Sequence, residues 1–250
     1  MKIILSLYDY TGHMVQPWAA AGYECYCFDI EHREVPRKII VGSKGGSITF
    51  VKADLYSPIT YNNLLTHFNN KEVSIVFGFP VCTDLAVSGA AWFTKKRLDN
   101  PEFQTIAANH AVDISYFATA LNSIYMIENP ISVLSTLWRK PNYKFHPFEY
   151  GGYIPKADAV HPDYPDYIAP RDAYKKKTCL WTCDRFKMPP VLPVDPEHYH
   201  GNGYSTAMMK LGGKSKRTKS IRSATPRGFA LAVFHANQDA ISDLFSLAAE

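Results

Sequence analysis

The sequence predicts an α/β protein built on a doubly wound, Rossmann-like parallel sheet with an irregular, loop-rich insertion. Three observations predict it. Strand-like apolar runs alternate with helix-like segments over residues 1–130, the rhythm of repeated βαβ units. Most of those strand-like runs end in an acid or a polar turn, where open α/β sheets bind ligands. Beyond residue 138 the periodicity vanishes, and most of the chain's 17 prolines collect there.

Each element follows in order. KIILSLY, residues 2–8, reads as a buried strand, and DYTGH as the turn after it. MVQPWAAA, 14–21, reads as a helix stopped by Gly22. YECYCFDI, 23–30, alternates in polarity as a second strand. ITFVKA, 48–53, is a third strand, ending at Asp54, and residues 60–69 are helical. VSIVFGFP, 73–80, is a fourth, apolar strand. FQTIAANHAVDISYFATALN, 103–122, is a long amphipathic helix. SIYMIEN, 123–129, is a fifth strand. After the irregular stretch, GFALAVFHANQDAISDLFSLAA, 228–249, returns to a helical pattern. The organisation this implies is a ligand-binding catalytic domain over 1–138 and an irregular insertion over 139–209. Over 210–250, a basic segment and a C-terminal helix pack back on the first domain. No internal repeat at a fixed period is present.

A chain of 250 residues that is 46% hydrophobic can bury a full core. Its net charge of +4 permits a polyanionic partner without demanding one. No apolar run reaches the ~20 residues of a bilayer span, and the N-terminus reads as a strand rather than a secretory leader. The five cysteines, Cys25, Cys27, Cys82, Cys179 and Cys183, are an odd set in a large chain. They argue against a disulfide framework and for a reducing, cytoplasmic setting. The 16 tyrosines and 14 phenylalanines leave planar surfaces available for stacking on bases.

The strand ends carry the chemistry. The first is followed by Tyr8-Asp9-Tyr10-Thr11-Gly12, the second by Asp29-Ile30, the third by Asp54-Leu55, the fourth by Pro80-Val81-Cys82 and the fifth by Glu128-Asn129-Pro130. An acid after the second strand is placed to hold a ribose diol by charge-assisted hydrogen bonds. Asp54 can accept from an adenine amino group. Taken singly, a strand-end acid is more often a helix N-cap, and a lone cysteine is more often a small buried hydrophobe. The ordered set outweighs its members. Proline before Cys82 and after Asn129 marks both as strand termini that present side chains.

This order resembles that of the DNA cytosine-5 methyltransferases. SLYDYTGH stands for the family's glycine-bearing cofactor loop, with Gly12 matching; FDIEH, KADLY, FPVCT and IENPIS stand for the segments after the next four strands. IRSATPRG, 221–228, looks like the family's Arg-x-Leu-Thr-Pro-Arg-Glu segment. CTDLAVSGAAWF, HPFEYG, KKTCLW and RSATPRGFA together resemble short bacteriophage members of the family. The chain departs from the family pattern at Tyr10, usually glycine, at Val81, usually proline, and at Pro130, usually valine. The resemblance implies a class I methyltransferase sheet and an enzyme that transfers a methyl group from S-adenosylmethionine to carbon 5 of cytosine in DNA. It implies Cys82, Glu128, Asn129 and Arg222 as catalytic residues. Tyr8, Asp9, Thr11, Gly12, Asp29, Ile30, Asp54, Leu55 and Pro80 are implied to bind the cofactor. For a phage-encoded member it implies action in the host cytoplasm and a role in evading restriction.

The chemistry explains the residue types. Carbon 5 of cytosine is a poor nucleophile until a thiolate adds at carbon 6. A thiol of pKa ~8.5 is mostly protonated near neutrality, so Cys82 needs help, expected from a helix N-terminus formed by TDLAVSG. Glu128 would hydrogen-bond the ring nitrogen and exocyclic amine as the thiolate adds. Asn129 is expected to hold Glu128. The target base must leave the duplex.

The segment 210–227 holds seven Lys or Arg and no acid. It suits contact with phosphates, or equally a solvated loop. The tyrosine-rich stretch 143–174 falls where target recognition belongs by position. Cys179, Cys183, His198 and His200 have C-x3-C and H-x-H spacings. The second is tighter than zinc sites use, and Trp181 between the cysteines reads as packing, so no metal is assigned. Three other readings remain: a Cys-dependent cytosine modifier with another donor or a nucleotide or RNA substrate, a catalytically decayed nucleic-acid-binding protein, and a zinc-stabilised binding protein. Oligomeric state is not readable from the chain.

Overall fold

The computed structural model describes residues 2–197, 211 and 215–246. The chain divides into two compact units, Met1–Lys144 with Thr178–Phe186, and Phe145–Lys177 with Lys187–Glu250. The first unit carries the sheet. Its strands are β1 (Ile3–Leu7), β2 (Glu24–Asp29), β3 (Arg37–Val41), β4 (Gly46–Lys52), β5 (Val73–Gly78), β6 (Ile124–Pro130), β7 (Tyr143–Phe145) and β8 (Thr178–Thr182). Its α-helices are α1 (Gln16–Ala20), α2 (Pro58–Phe68), α3 (Phe93–Asp99), α4 (Phe103–Ala120) and α5 (Leu134–Leu137).

The strand order is β3-β4-β2-β1-β5-β6-β8-β7. The five central strands β4, β2, β1, β5 and β6 run parallel. The order reverses between β1 and β5, the doubly wound arrangement expected from the sequence. All positions of β1 and β5 are buried, as befits strands covered on both faces. On one face Ile3, Leu5, Leu7, Val73 and Val76 join Phe28, Leu55, Phe68, Phe117 and Trp181 in one core. α4 buries Ala107, Ala111, Ile114 and Ala118 at helical spacing. It lies so close to β5 that a side chain at Gly78 would meet Ile114 at 2.7 Å.

Three features differ from the sequence reading. β3 pairs antiparallel with β4 at the sheet edge; its residues are mostly exposed, so it has no buried face to betray it. β8 pairs antiparallel with β6. It lies in the stretch that read as irregular, because its five residues are too few to show a period. The helix expected over 14–21 is a 3-10 turn, His13–Val15, followed by the short α1.

Among the described residues the second unit has 3-10 turns and the helices α6 (Lys216–Ser223) and α7 (Arg227–Ser246). Phe229 of α7 stacks on Phe145 at 4.0 Å and meets the edge of Tyr150 at 5.1 Å. A side chain at Gly228 would strike the Tyr150 carbonyl at 2.3 Å, so this packing requires glycine. Asn237, fully buried, donates to the Lys187 carbonyl and accepts from its N–H, both at 2.9 Å. The Asp172 carboxylate accepts from the Gly228 N–H at 2.9 Å and so caps the start of α7. α6 forms within the basic segment, where Ser215 accepts from the Thr218 N–H as N-cap. Residues 210 and 212–214 of that segment lie outside the described residues. No helix among the described residues is long and apolar enough to cross a membrane.

Candidate active site

β1 and β5 sit side by side at the point where the strand order reverses, and open α/β sheets bind ligands beyond the carboxyl ends of such strands. The loop after β1 is folded around one side chain. Asp9 is 4% exposed. Its Oδ1 accepts from the Gly12 N–H at 2.7 Å, the Thr11 N–H at 3.0 Å and the Thr11 hydroxyl at 3.3 Å. Its Oδ2 accepts from the Ser6 hydroxyl at 2.7 Å and the Cys27 thiol at 3.9 Å. Burial, with Asp9 alongside, pushes the Cys27 thiol well above its usual range. Asp9, expected at the cofactor, turns both oxygens into the loop and shapes the backbone of Thr11 and Gly12.

Gly12 adopts φ 71°, and a Cβ there would lie 3.0 Å from the Phe50 ring. Tyr8 holds φ 58°, a strained conformation for a residue with a side chain. Its hydroxyl donates to the Leu55 carbonyl at 2.8 Å, joining the loops after β1 and β4. Tyr10, the departure from glycine, is 51% exposed and stacks on His32 at 5.4 Å. The His32 ring Nε2 lies 3.0 Å from the Asp9 carbonyl.

Asp29, at the end of β2, accepts from the Glu31 N–H at 2.8 Å. Burial raises its carboxyl above the usual carboxylate range, and the Glu31 N–H and nearby His32 act against that rise. Such a group gains from further hydroxyl donors, which is what a ribose diol supplies. Ile30 beside it is exposed. Asp54 is exposed and accepts from the Tyr56 N–H at 3.0 Å, while Leu55 is buried in the core.

The nucleophile candidate lies beyond β5 and the acid candidate at the end of the adjacent β6. Gly78 pairs with Ile127, so Cys82 is four residues past the pairing on one strand and Glu128 one residue past it on the other. Both are half-buried. Their loops are stapled together. The Val133 N–H donates to the Leu85 carbonyl at 3.0 Å, and the Val87 N–H to the Ile131 carbonyl at 3.1 Å, around an Ala86–Ser132 bridge. Asn129 donates from Nδ2 to the Pro80 carbonyl at 3.0 Å. It was expected to hold Glu128; its amide is turned to the nucleophile loop instead. The helix N-terminus expected directly after Cys82 is also absent. The Cys82 carbonyl accepts from the Leu85 and Ala86 N–H groups in a turn, and a 3-10 helix starts at Val87, with α3 after it.

Arg222 belongs to the second unit, where its guanidinium donates to the Leu211 carbonyl and its own carbonyl accepts from Lys176 at 2.8 Å. Cys179 is buried in β8, and the Cys183 sulfur accepts from the Tyr125 N–H at 3.4 Å. His198 and His200 lie outside the described residues. No disulfide joins any of the five cysteines.

Sequence reasoning missed Tyr56 and His110. His110 lies on the buried stripe of α4, with its ring against Tyr56 at 4.6 Å and Tyr8 at 6.1 Å. Burial lowers its imidazole, against the pull of Asp113 and Asp54. Its Nδ1 has no hydrogen-bond partner. A histidine on an otherwise apolar helix stripe was the available signal.

No family model and no curated protein matches the chain. Among solved structures, one similar chain is described as a candidate DNA modification methyltransferase encoded within an Escherichia coli prophage. The alignment has 11% identity and a TM-score of 0.43, over 98% of this chain and 69% of that one. Another is a short-chain dehydrogenase/reductase mutant from Serratia marcescens, at 14% identity and a TM-score of 0.32, over 47% of this chain and 50% of that one. Both likenesses are too loose to transfer chemistry from one protein to the other.

Proposed function

We propose that the protein methylates carbon 5 of cytosine in DNA with S-adenosylmethionine as donor. The observation that carries this reading is the pairing of Cys82 and Glu128 at the carboxyl ends of adjacent parallel strands, on loops stapled to each other. The donor's expected partners fit the groups present. Asp29 is short of donors that a diol would provide, Asp54 offers an exposed carboxylate to an amino group, and the loop turns at Gly12 with φ 71°, a conformation that favours glycine. S-adenosylmethionine, when bound, supplies an electrophilic methyl group on a sulfonium.

The chain's own residues do the rest. The Cys82 thiolate forms a bond to carbon 6, and the displaced electron pair makes carbon 5 nucleophilic. Glu128 holds a proton on ring nitrogen 3 and binds the exocyclic amine, so negative charge does not build up on the ring. After carbon 5 has taken the methyl, its proton is lost to water. The carbon 6–sulfur bond then breaks and its electron pair returns to Cys82. Arg222, the basic α6 and the tyrosine-rich 143–174 are the parts proposed to meet DNA, and the target base is proposed to leave the duplex.

Covalent trapping tests this. Protein and S-adenosylmethionine are mixed with mixed-sequence DNA containing 5-fluorocytosine, whose fluorine blocks the final elimination. A mass-shifted complex is expected with wild type and none with Cys82→Ala. No complex from wild type that binds both DNA and donor would overturn the reading and favour another substrate or a binding protein.

A further inference from the structure

We infer that Asn129 is a positioning residue for the Cys82 thiol, acting through the Pro80 carbonyl. The inference rests on the reading of Cys82 as nucleophile. Successive side chains of a strand point to opposite faces, so Asn129 and Glu128, neighbours on β6, face away from each other. Asn129 is 1% exposed, and its side-chain amide donates to the carbonyl of Pro80, two residues before Cys82. Its Oδ1 is buried with no partner. A buried amide that satisfies only one end is a costly way to fill space, because an unpaired buried acceptor loses its hydration. A leucine of similar size would fill the same buried space without that cost. What the amide supplies and leucine cannot is a fixed Pro80 carbonyl.

The backbone staples fix the far end of the nucleophile loop, from Leu85 to Val87. The Asn129 bond fixes the near end, at Pro80. Cys82 is therefore held from both sides, with Val81 exposed between. Removing the amide leaves the staples, the Phe79 N–H bond to the Leu7 carbonyl and the turn on the Cys82 carbonyl intact, and releases only the Pro80 carbonyl. Misplacement of a reacting atom by about 1 Å lowers a rate by about 100-fold.

Asn129→Leu and Asn129→Ala separate this role from a structural one. The readouts are donor binding by calorimetry, thermal melting, single-turnover methyl transfer to DNA, and the pH profile of Cys82 alkylation by iodoacetamide, mapped by mass spectrometry. In both variants methyl transfer, measured at saturating donor, is expected to fall about 10- to 100-fold and the Cys82 alkylation profile to move. If Asn129→Ala melts early, Asn129→Leu carries the same comparison in a filled core. Alkylation profiles superimposable on wild type in both variants would overturn the inference. If wild type transfers no methyl at all, the proposed function falls, and the alkylation profiles still decide the role of Asn129.

Discussion

Among the described residues each unit buries one aspartate almost completely, and the two live in different surroundings. Asp9, in the sheet unit, receives five donors on its two oxygens. Asp172, in the second unit, receives the Gly228 N–H on one oxygen, and its other oxygen has no partner. Burial pushes the Asp172 carboxyl up to about 6, with the Gly228 N–H and Arg227 opposing the rise. The contrast shows what makes a buried carboxylate useful. A carboxylate surrounded by donors organises the chain around it, whereas one that is starved of donors works against the fold whenever it is charged.

Substitution at Asp9 is expected to have the largest effect. Asp9→Ala orphans the Gly12 and Thr11 N–H groups, which costs roughly 4 kcal/mol at about 1–3 kcal/mol for each buried unpaired group. Donor affinity should fall at least about tenfold, near 1.4 kcal/mol. Asp9→Asn keeps an acceptor toward Gly12 and should retain much of both. Denaturant unfolding and calorimetry check this, and an alanine variant as stable as wild type would dissolve the contrast.

Asp172 comes next, and its sign is opposite. Its carboxyl titrates near 6 in the fold against 3.8 as its ordinary value, so folding favours the protonated form. The stability it adds is full below pH 3.8 and is lost as the pH rises to about 6. Asp172→Asn keeps the bond from Gly228 without the charge. It should match wild type near pH 4 and exceed it above pH 6 by at most about 3 kcal/mol. A constant difference between the two melting curves across pH would refute the assignment.

The smallest effect tests the loop that Asp9 shapes. Gly12→Ala places a Cβ in the left-handed region and 3.0 Å from Phe50, a penalty of about 1–2 kcal/mol. The weakening should appear mainly in donor binding, and unchanged affinity would detach Gly12 from the site.

Much of the sheet was legible because its signal is local. β1, β5 and β6 are apolar runs of the right length, α4 shows its stripe, and the strand-end residues follow from the order of elements. What was not legible depends on partners distant in sequence. β8 is a strand because β6 pairs with it across about fifty residues. β3 is visible only through its hairpin to β4. The Asn129–Pro80 bond joins residues 49 apart, and no pattern within either segment announces it. The residue types at Cys82 and Glu128 were readable; the way their loops are fastened was not.

The chain's route through the sheet has a consequence for synthesis. β6 finds its outer neighbour only in β8, and Phe145–Lys177, part of the other unit, comes between them. A ribosome making the chain at ~5–20 residues per second therefore leaves one side of β6 bare for several seconds. An unpaired strand edge is open to wrong partners during that interval. Neither unit can be finished before the other has begun, and a nascent chain stopped at residue 144 should aggregate where one stopped past 186 should not.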